Sequence, residues 1–185
     1  MQLIKFKIAV ILLIICIACE EDSKKTTESQ TNKKGNTAEK GTIKVPPFHV
    51  FFPVKYVYTK LTLNESGGVK HIYNYSSDSL SLAFSCYEFS DSSEIIDSAM
   101  LEPMLAKMSY NLQSQYGEIN WEKTQTGFLR SGGFFGKLKG ELSNNYQLSM
   151  SFYRTNKHLA QLMTLADSAN HQLANQVIAS FKYDP

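Results

Sequence analysis

Gly132-Gly133-Phe134-Phe135-Gly136-Lys137 sets three glycines ahead of a lysine. Such a composition can wrap backbone N–H groups around a phosphate. The phosphate-loop pattern asks for Gly at its first position and Ser or Thr after the lysine, where this chain has Ser131 and Leu138. Phe134 and Phe135 suit a strand, so the stretch reads as a bulge where backbones approach closely. The four histidines are His49, His71, His158 and His171, with no HExxH arrangement and no neighbouring cysteine pair. His49 and His71 could be strand neighbours with both imidazoles on one face. A specific zinc site wants three or four ligands, so exposed strand histidines are the better reading and no metal is expected. Cys86 could act as a nucleophile beside a histidine. A catalytic thiol needs an electropositive, partly exposed setting, and Ser85-Cys86-Tyr87 in an alternating run supplies none. Glu88, Asp91, Glu94 and Asp97 gather at a strand-to-helix junction. They could hold a cation through oxygen ligands, but capping a helix N-terminus and complementing its dipole is sufficient reason for them. Trp121, Tyr153 and Arg154 could contribute to a partner surface, although an isolated strand Trp is more often a core edge. No catalytic residue and no cofactor is assigned, and the expectation is a non-enzyme.

The elements that would carry these residues follow from periodicity. Phe48 to Pro53 reads as a strand closed by a proline. Lys55 to Leu63 alternates, with Tyr56 and Tyr58 on one side. Asn64 to Gly68 is a turn signal, and Val69 to Tyr75 returns as the antiparallel partner. After the turn at Ser76 to Ser79, a further strand presents Leu80, Leu82, Phe84 and Cys86 to one face. Asp91 followed by Glu94 starts a helix in capping-box fashion. Ile96, Met100, Leu101, Met104, Leu105, Met108 and Leu112 recur at helical spacing. Pro103 either kinks this helix or marks a second start near Glu102, and Gly117 ends it. Residues 118–126 read as one strand, and Gly132 to Leu142 as a glycine-rich strand or bulged hairpin arm. Tyr146 to Thr155 alternates Tyr146, Leu148, Met150 and Phe152 on one face, and His158 to Ala166 is its partner. Asp167 or Ser168 caps a last helix, Ala169 to Phe181, with Leu173, Val177, Ile178 and Phe181 as its apolar stripe. Hairpin-linked strands with two helices predict an α+β domain, an antiparallel sheet packed between helices.

The N-terminus carries an address. Lys5 and Lys7 precede a short apolar run, Ile8 to Ile17, and Ala18 precedes Cys19. The run is short for a span, which needs ~20 apolar residues. A charged start, an apolar middle and a small residue make a secretory signal. With a cysteine directly after the small residue, it resembles a bacterial lipoprotein signal, which implies lipidation of Cys19. Cys16 is the weaker choice because bulky Ile15 would sit at its cleavage position. An uncleaved anchor or an ordinary secretory signal are the alternatives. Glu20, Glu21 and Asp22 resemble the acidic export signals of Bacteroidetes surface lipoproteins. The address implied is the cell envelope, lipid-anchored to the outer membrane, with surface display following from the acids.

The expected domains are a signal peptide over 1–18, a disordered tether over 19–45 and one α+β domain over 46–185. The tether is almost free of apolar residues and cannot bury enough surface to offset its ordering entropy. It would reach on the order of 25 to 30 Å. The net charge of +2 is too small to argue for an anionic partner, and no nucleic-acid binding is expected. With Cys16 and Cys19 accounted for, Cys86 has no disulfide partner. Eleven Phe, ten Tyr and six Met supply a core.

FHVFFP, SGGFFGKLKGEL, YRTNKHLAQLMTLA and VIASFK, in that order over Phe48 to Lys182, resemble the Mog/PsbP-like superfamily. That group includes the PsbP subunit at the lumenal side of photosystem II, a Ran-binding nuclear protein and DcrB-type bacterial lipoproteins. The resemblance implies an α/β/α sandwich, and binding rather than catalysis as the common use. The expected function is therefore a non-enzymatic protein-binding or accessory module with a protein partner. A small-molecule or lipid carrier and an envelope hydrolase with a dispersed site are the alternatives.

Overall fold

The computed structural model describes residues 36–62, 68–90, 96–122 and 124–185. The signal, Cys16, Cys19, Glu20 to Asp22, Asp91 and Glu94 lie outside the described residues, as does most of the turn after Leu63. In chain order the strands are β1 (Asn36–Ala38), β2 (Gly41–Val45), β3 (Phe48–Phe52), β4 (Tyr56–Thr62), β5 (Val69–Ser76) and β6 (Leu80–Glu88). Helix α1 (Leu101–Tyr116) follows, then β7 (Ile119–Trp121), β8 (Gln125–Phe128), β9 (Phe134–Leu142), β10 (Gln147–Arg154) and β11 (His158–Ala166). Helix α2 (His171–Ser180) and the short β12 (Lys182–Tyr183) close the chain.

Among the described residues, nine strands form one antiparallel sheet in the order β1-β4-β5-β6-β11-β10-β9, with β7 and β8 both on the outer edge of β9. Successive strand residues face opposite sides, so β11 sends Leu162 to one core cluster and Met163 to the other. On one face α1 packs Leu101, Leu105, Met108 and Leu112 against Leu138, Leu148, Met150 and Phe152. On the other face lie α2 and a small antiparallel sheet, β12-β3-β2. The fold is α+β, a large antiparallel sheet with two helices, one on each side.

The small sheet corrects the expected boundary at Val45. Asn36–Ala38 pairs with β4 and Gly41–Val45 pairs with β3. Ile43 and Val45, two residues apart, both point into the core beside Phe48, Val50 and Phe52. Burying this face outweighs the polar composition of the segment. Pro46 and Pro47 turn β2 into β3.

Local chemistry explains the helix ends. Asp97 accepts from the Ala99 N–H at 3.1 Å and opens a 3-10 turn over Ser98–Met100. Pro103 lies in the first turn of α1, where its missing N–H has no intrahelical role. The helix thus starts just before Pro103 and does not kink there. Gly117, at φ +86°, ends α1 with its N–H on the Gln113 carbonyl. Asp167 caps the second helical segment by accepting from the Asn170 N–H at 3.1 Å. Residues 118–126 hold two strands rather than one, β7 ending at Trp121 and β8 beginning at Gln125.

The α2 layer rests on a partly polar floor. Gln147, Ser149, Ser151 and Thr164 share the sheet face beneath it and are buried. Gln147 Oε1, Ser151 Oγ and Thr164 Oγ1 have no hydrogen-bond partner there. A buried polar group in that state costs about 1 to 3 kcal/mol. Thr164→Val should raise stability by about 1 kcal/mol or more in urea unfolding. In the same assay Ile43→Ala should cost about 2 to 5 kcal/mol. A negligible loss would return β2 to the tether.

Candidate functional site

β4 and β5 form a hairpin whose register brings Tyr58 opposite Tyr73. His71, Tyr73 and Tyr75 alternate along β5 on the face that also carries Cys86, Phe84 and Leu82 of β6. Tyr56, Tyr58, His71, Tyr73 and Tyr75 are all half-buried. Tyr58 stacks on Tyr73 with centroids 4.8 Å apart and lies nearly parallel to His71 at 6.1 Å. Its hydroxyl is 3.0 Å from His71 Nδ1. Tyr73 stacks in turn on buried Phe84 at 5.6 Å, and Tyr56 meets both Phe52 and Tyr73 edge-on. Each such ring pair contributes roughly 0.5 to 1.5 kcal/mol beyond its burial. The rings form a rigid strip anchored in the core at Phe52 and Phe84 and open to solvent along one side.

The electrostatics of the strip are set by burial. Burial raises the Tyr58 and Tyr73 phenols, the latter further through Tyr58, Tyr56 and Cys86, so both stay protonated as hydrogen-bond donors. Burial, then Lys60, lowers His71, with Glu88 opposing. A flat, stacked, uncharged set of this kind offers apolar area with polar tips. Tyr serves protein contacts in this way because it immobilises few torsions per unit of area.

The structure separates several residues that the sequence groups together. His49 and His71 sit in different sheets, and His49 pairs with Asp184 at 3.0 Å. His158 packs edge-on against Phe48, and burial lowers its pKa. His171 begins α2. Among the described residues, no group of three or more His, Cys, Asp or Glu could hold a metal ion. Cys86 is fully buried in the core, and burial, then Glu88, pushes its thiol up to about 12, which removes it as a nucleophile at neutral pH. Of the acidic group, Asp97 caps a helical turn and Glu88 ends β6 near His71 and His158. Gly132 and Gly133 form the β8–β9 turn, where Leu129 N–H meets the Gly133 carbonyl. A Cβ on Gly133 would run into the Arg154 carbonyl, so this glycine serves a close backbone approach.

Arg154 is a correction. It is buried, with its guanidinium 4.1 Å over the Phe89 ring and Nη1 donating to the Thr155 carbonyl, and so it is not a surface residue. Tyr153 is half-buried among Phe48, Phe181 and Tyr183. Trp121 is half-buried against the α1-side cluster, a core edge. A groove of about 340 Å³ runs between α1 and β8, lined by Glu102, Leu105, Ser109, Thr124, Thr126 and Leu138. The tyrosine strip is the feature that sequence reasoning did not assemble. Its signal was alternation in both runs, Tyr56/Tyr58 and His71/Tyr73/Tyr75, which a hairpin must bring side by side.

No protein-family profile matches the chain, and no curated protein sequence matches it. Among solved structures, the chain is similar to cyanobacterial PsbP (CyanoP) from Synechocystis sp. PCC 6803, in a solution structure. The similarity has a TM-score of 0.51 at 10% identity and covers 84% of this chain and 98% of that one. The fold is PsbP-like.

His71 and His158 give the domain an acid-sensitive stability. Both are held below the ordinary value of 6.5 in the folded state. The unfolded chain therefore takes up protons first. Their contribution is full above about pH 6.5 and is lost as pH falls towards the folded values. Unfolding midpoints should decline between about pH 7 and pH 5, and His71→Gln should flatten the decline. An unchanged slope would show that His71 does not contribute.

Proposed function

We propose that this chain is a bacterial lipoprotein, lipidated at Cys19 and anchored to the outer membrane. Its PsbP-like domain acts there as a non-enzymatic binding or accessory module for a protein partner. The observation that carries the binding half of this reading is the stacked strip of Tyr56, Tyr58, His71 and Tyr73, half-exposed and fixed to the core. Rigid Tyr rings with free polar tips are enriched at protein contacts because little entropy is lost when they are covered. The anchor half rests on Lys5, Lys7, the apolar run Ile8 to Ile17 and the Ala18-Cys19 step. The acids Glu20 to Asp22 favour display on the outer surface.

A second reading has its own observation. The groove between α1 and β8 has a volume at the lower end of small-ligand sites. A carrier role would place a small molecule there, against Leu105 and Leu138. Mass spectrometry of gently purified protein would then show a bound mass that Leu105→Trp removes.

In-cell crosslinking tests the main reading. Wild type should capture one recurring protein. Tyr58→Ala should lower that capture about tenfold, as for a central aromatic contact. The domain should still fold, its thermal midpoint falling by only the few degrees that loss of the Tyr73 and His71 contacts entails. Cys19→Ser should abolish incorporation of labelled fatty acid and release the protein from the membrane fraction. Capture that is indifferent to Tyr58→Ala would overturn the tyrosine strip as the contact surface. Fatty-acid labelling that persists in Cys19→Ser would overturn the anchor.

A further inference from the structure

The solvent face of the small sheet carries a different chemistry. In β2 the residues turned away from the core are Thr42 and Lys44. In β3 they are His49 and Phe51, and in β12 the outward residue is Lys182. The register sets Lys44 and Lys182 directly opposite His49, one on each side. Two lysines flanking a histidine across three strands make a cationic row. Asp184, 3.0 Å from His49, offsets part of it and is itself 72% exposed.

Beside the row stands Phe51, opposite Thr42 and 45% exposed. Its exposure is not fraying. β12 ends at its pairing with His49, and the next outward N–H of β3, that of Phe51, donates to Ser180 Oγ at 2.9 Å. Ser180 in turn donates to the Val177 carbonyl at 2.7 Å. The end of α2 thus extends the sheet by one hydrogen bond and pins an aromatic ring towards water. The Ser131 hydroxyl, 2.7 Å from that of Tyr183, brings the exposed Arg130 turn to the β12 edge.

A basic row with a fixed apolar ring beside it suits an anionic lipid surface, with headgroup phosphates on the lysines and the ring at the acyl boundary. The chain's own course selects this occupant. The small sheet begins at Gly41, the described part of the chain at Asn36, and Cys19 lies a short way upstream. Of the described elements, β1 and the small sheet are where the chain arrives from its lipid end. We propose that the outer face of the small sheet, through Lys44, Lys182 and Phe51, docks on the phosphate headgroups of an anionic lipid surface and sets the domain's orientation on the membrane. This rests on the reading of Cys19 as the lipid anchor, but it can be tested without the anchor.

Both core clusters are made of residues between Ile43 and Phe181. The unlipidated chain of residues 20–185 therefore retains every core side chain. It should sediment with phosphatidylglycerol-containing vesicles and not with pure phosphatidylcholine, and added salt should release it. The double variant Lys44→Glu/Lys182→Glu should weaken vesicle binding roughly tenfold or more, and Phe51→Ser should weaken it as well. Asp184→Asn, which removes the opposing charge, should strengthen it, an effect that loss of folding cannot imitate. Equal binding to both vesicle types, or charge variants that bind as wild type, would overturn the proposal. Retention on heparin without vesicle binding would also overturn it, in favour of a soluble polyanion. Fatty-acid labelling at Cys19 is scored separately, so failure of the anchor and failure of the docking face are told apart.

Discussion

β10 and β11 are buried along almost their whole length on both faces of the sheet, and that requirement organises the rest of the molecule. A strand buried on both faces has to be covered twice. One cover is α1, whose stripe of Leu101, Leu105, Met108 and Leu112 meets Met150 and Phe152. The other cannot be a single helix, because the apolar face it must hide extends over β6 to Leu80, Leu82, Phe84 and Cys86. Helix α2 spans part of it, and β2 and β3 supply the remainder through Ile43, Val45, Phe48, Val50 and Phe52. The short strands at the start of the domain are thus a condition for the central strands to stay buried.

Beyond β6 the cover ends, and the tyrosines begin there. The row Tyr58, Tyr73, Phe84, Leu162 runs across four strands from half-exposed to fully buried. A phenylalanine at the first positions would leave bare apolar area at the rim. A charged residue would lose the stacking that couples the rim to the core. Tyr meets both demands, since its ring stacks and its hydroxyl stays hydrated or bonds to a neighbour such as His71. The rim is therefore stable as it stands and presents area that a partner can cover at small entropic cost. At the opposite edge, β7 and β8 are short, three and four residues long. Short edge strands of this kind resist strand addition.

What was legible in the sequence was set by sequence distance. Alternation within one strand is local, so Leu80, Leu82, Phe84 and Cys86 were readable as one face, as were Leu148, Met150 and Phe152. The stripe of α1 and the stop at Gly117 were readable for the same reason. The small sheet was legible only at β3, because β2 lies in a polar segment and β12 is two residues that pair with β3 across the length of the chain. Only the spacing of Ile43 and Val45 hinted at β2, inside an otherwise polar segment. The Tyr58–His71 contact depended on hairpin register, which the alternation allowed but did not single out. Arg154 misled because its type suggests solvent, whereas Phe89 gives its guanidinium an aromatic face inside the fold.

The two covers differ in quality, and the difference bears on motion. Beneath α1 the buried cluster is almost wholly Leu, Met and Phe, with Trp121 at its edge. Beneath α2 the floor turns from Leu162 and Ala166 to Ser149, Ser151, Thr164 and Gln147 within one strand spacing. Three of those side chains end in polar atoms without partners, and His171 Nε2 at the start of α2 is a fourth such atom. Each gains a hydrogen bond to water if α2 lifts, so opening this layer recovers more solvation than opening the α1 layer, where Trp121 Nε1 is the comparable atom. Local opening follows the weakest layer. Helix α2 is also the element whose Ser180 holds Phe51 in place and whose following residues form β12. The seat of α2 therefore governs how firmly the small sheet keeps its outer face in order, and a more apolar seat would stiffen both together.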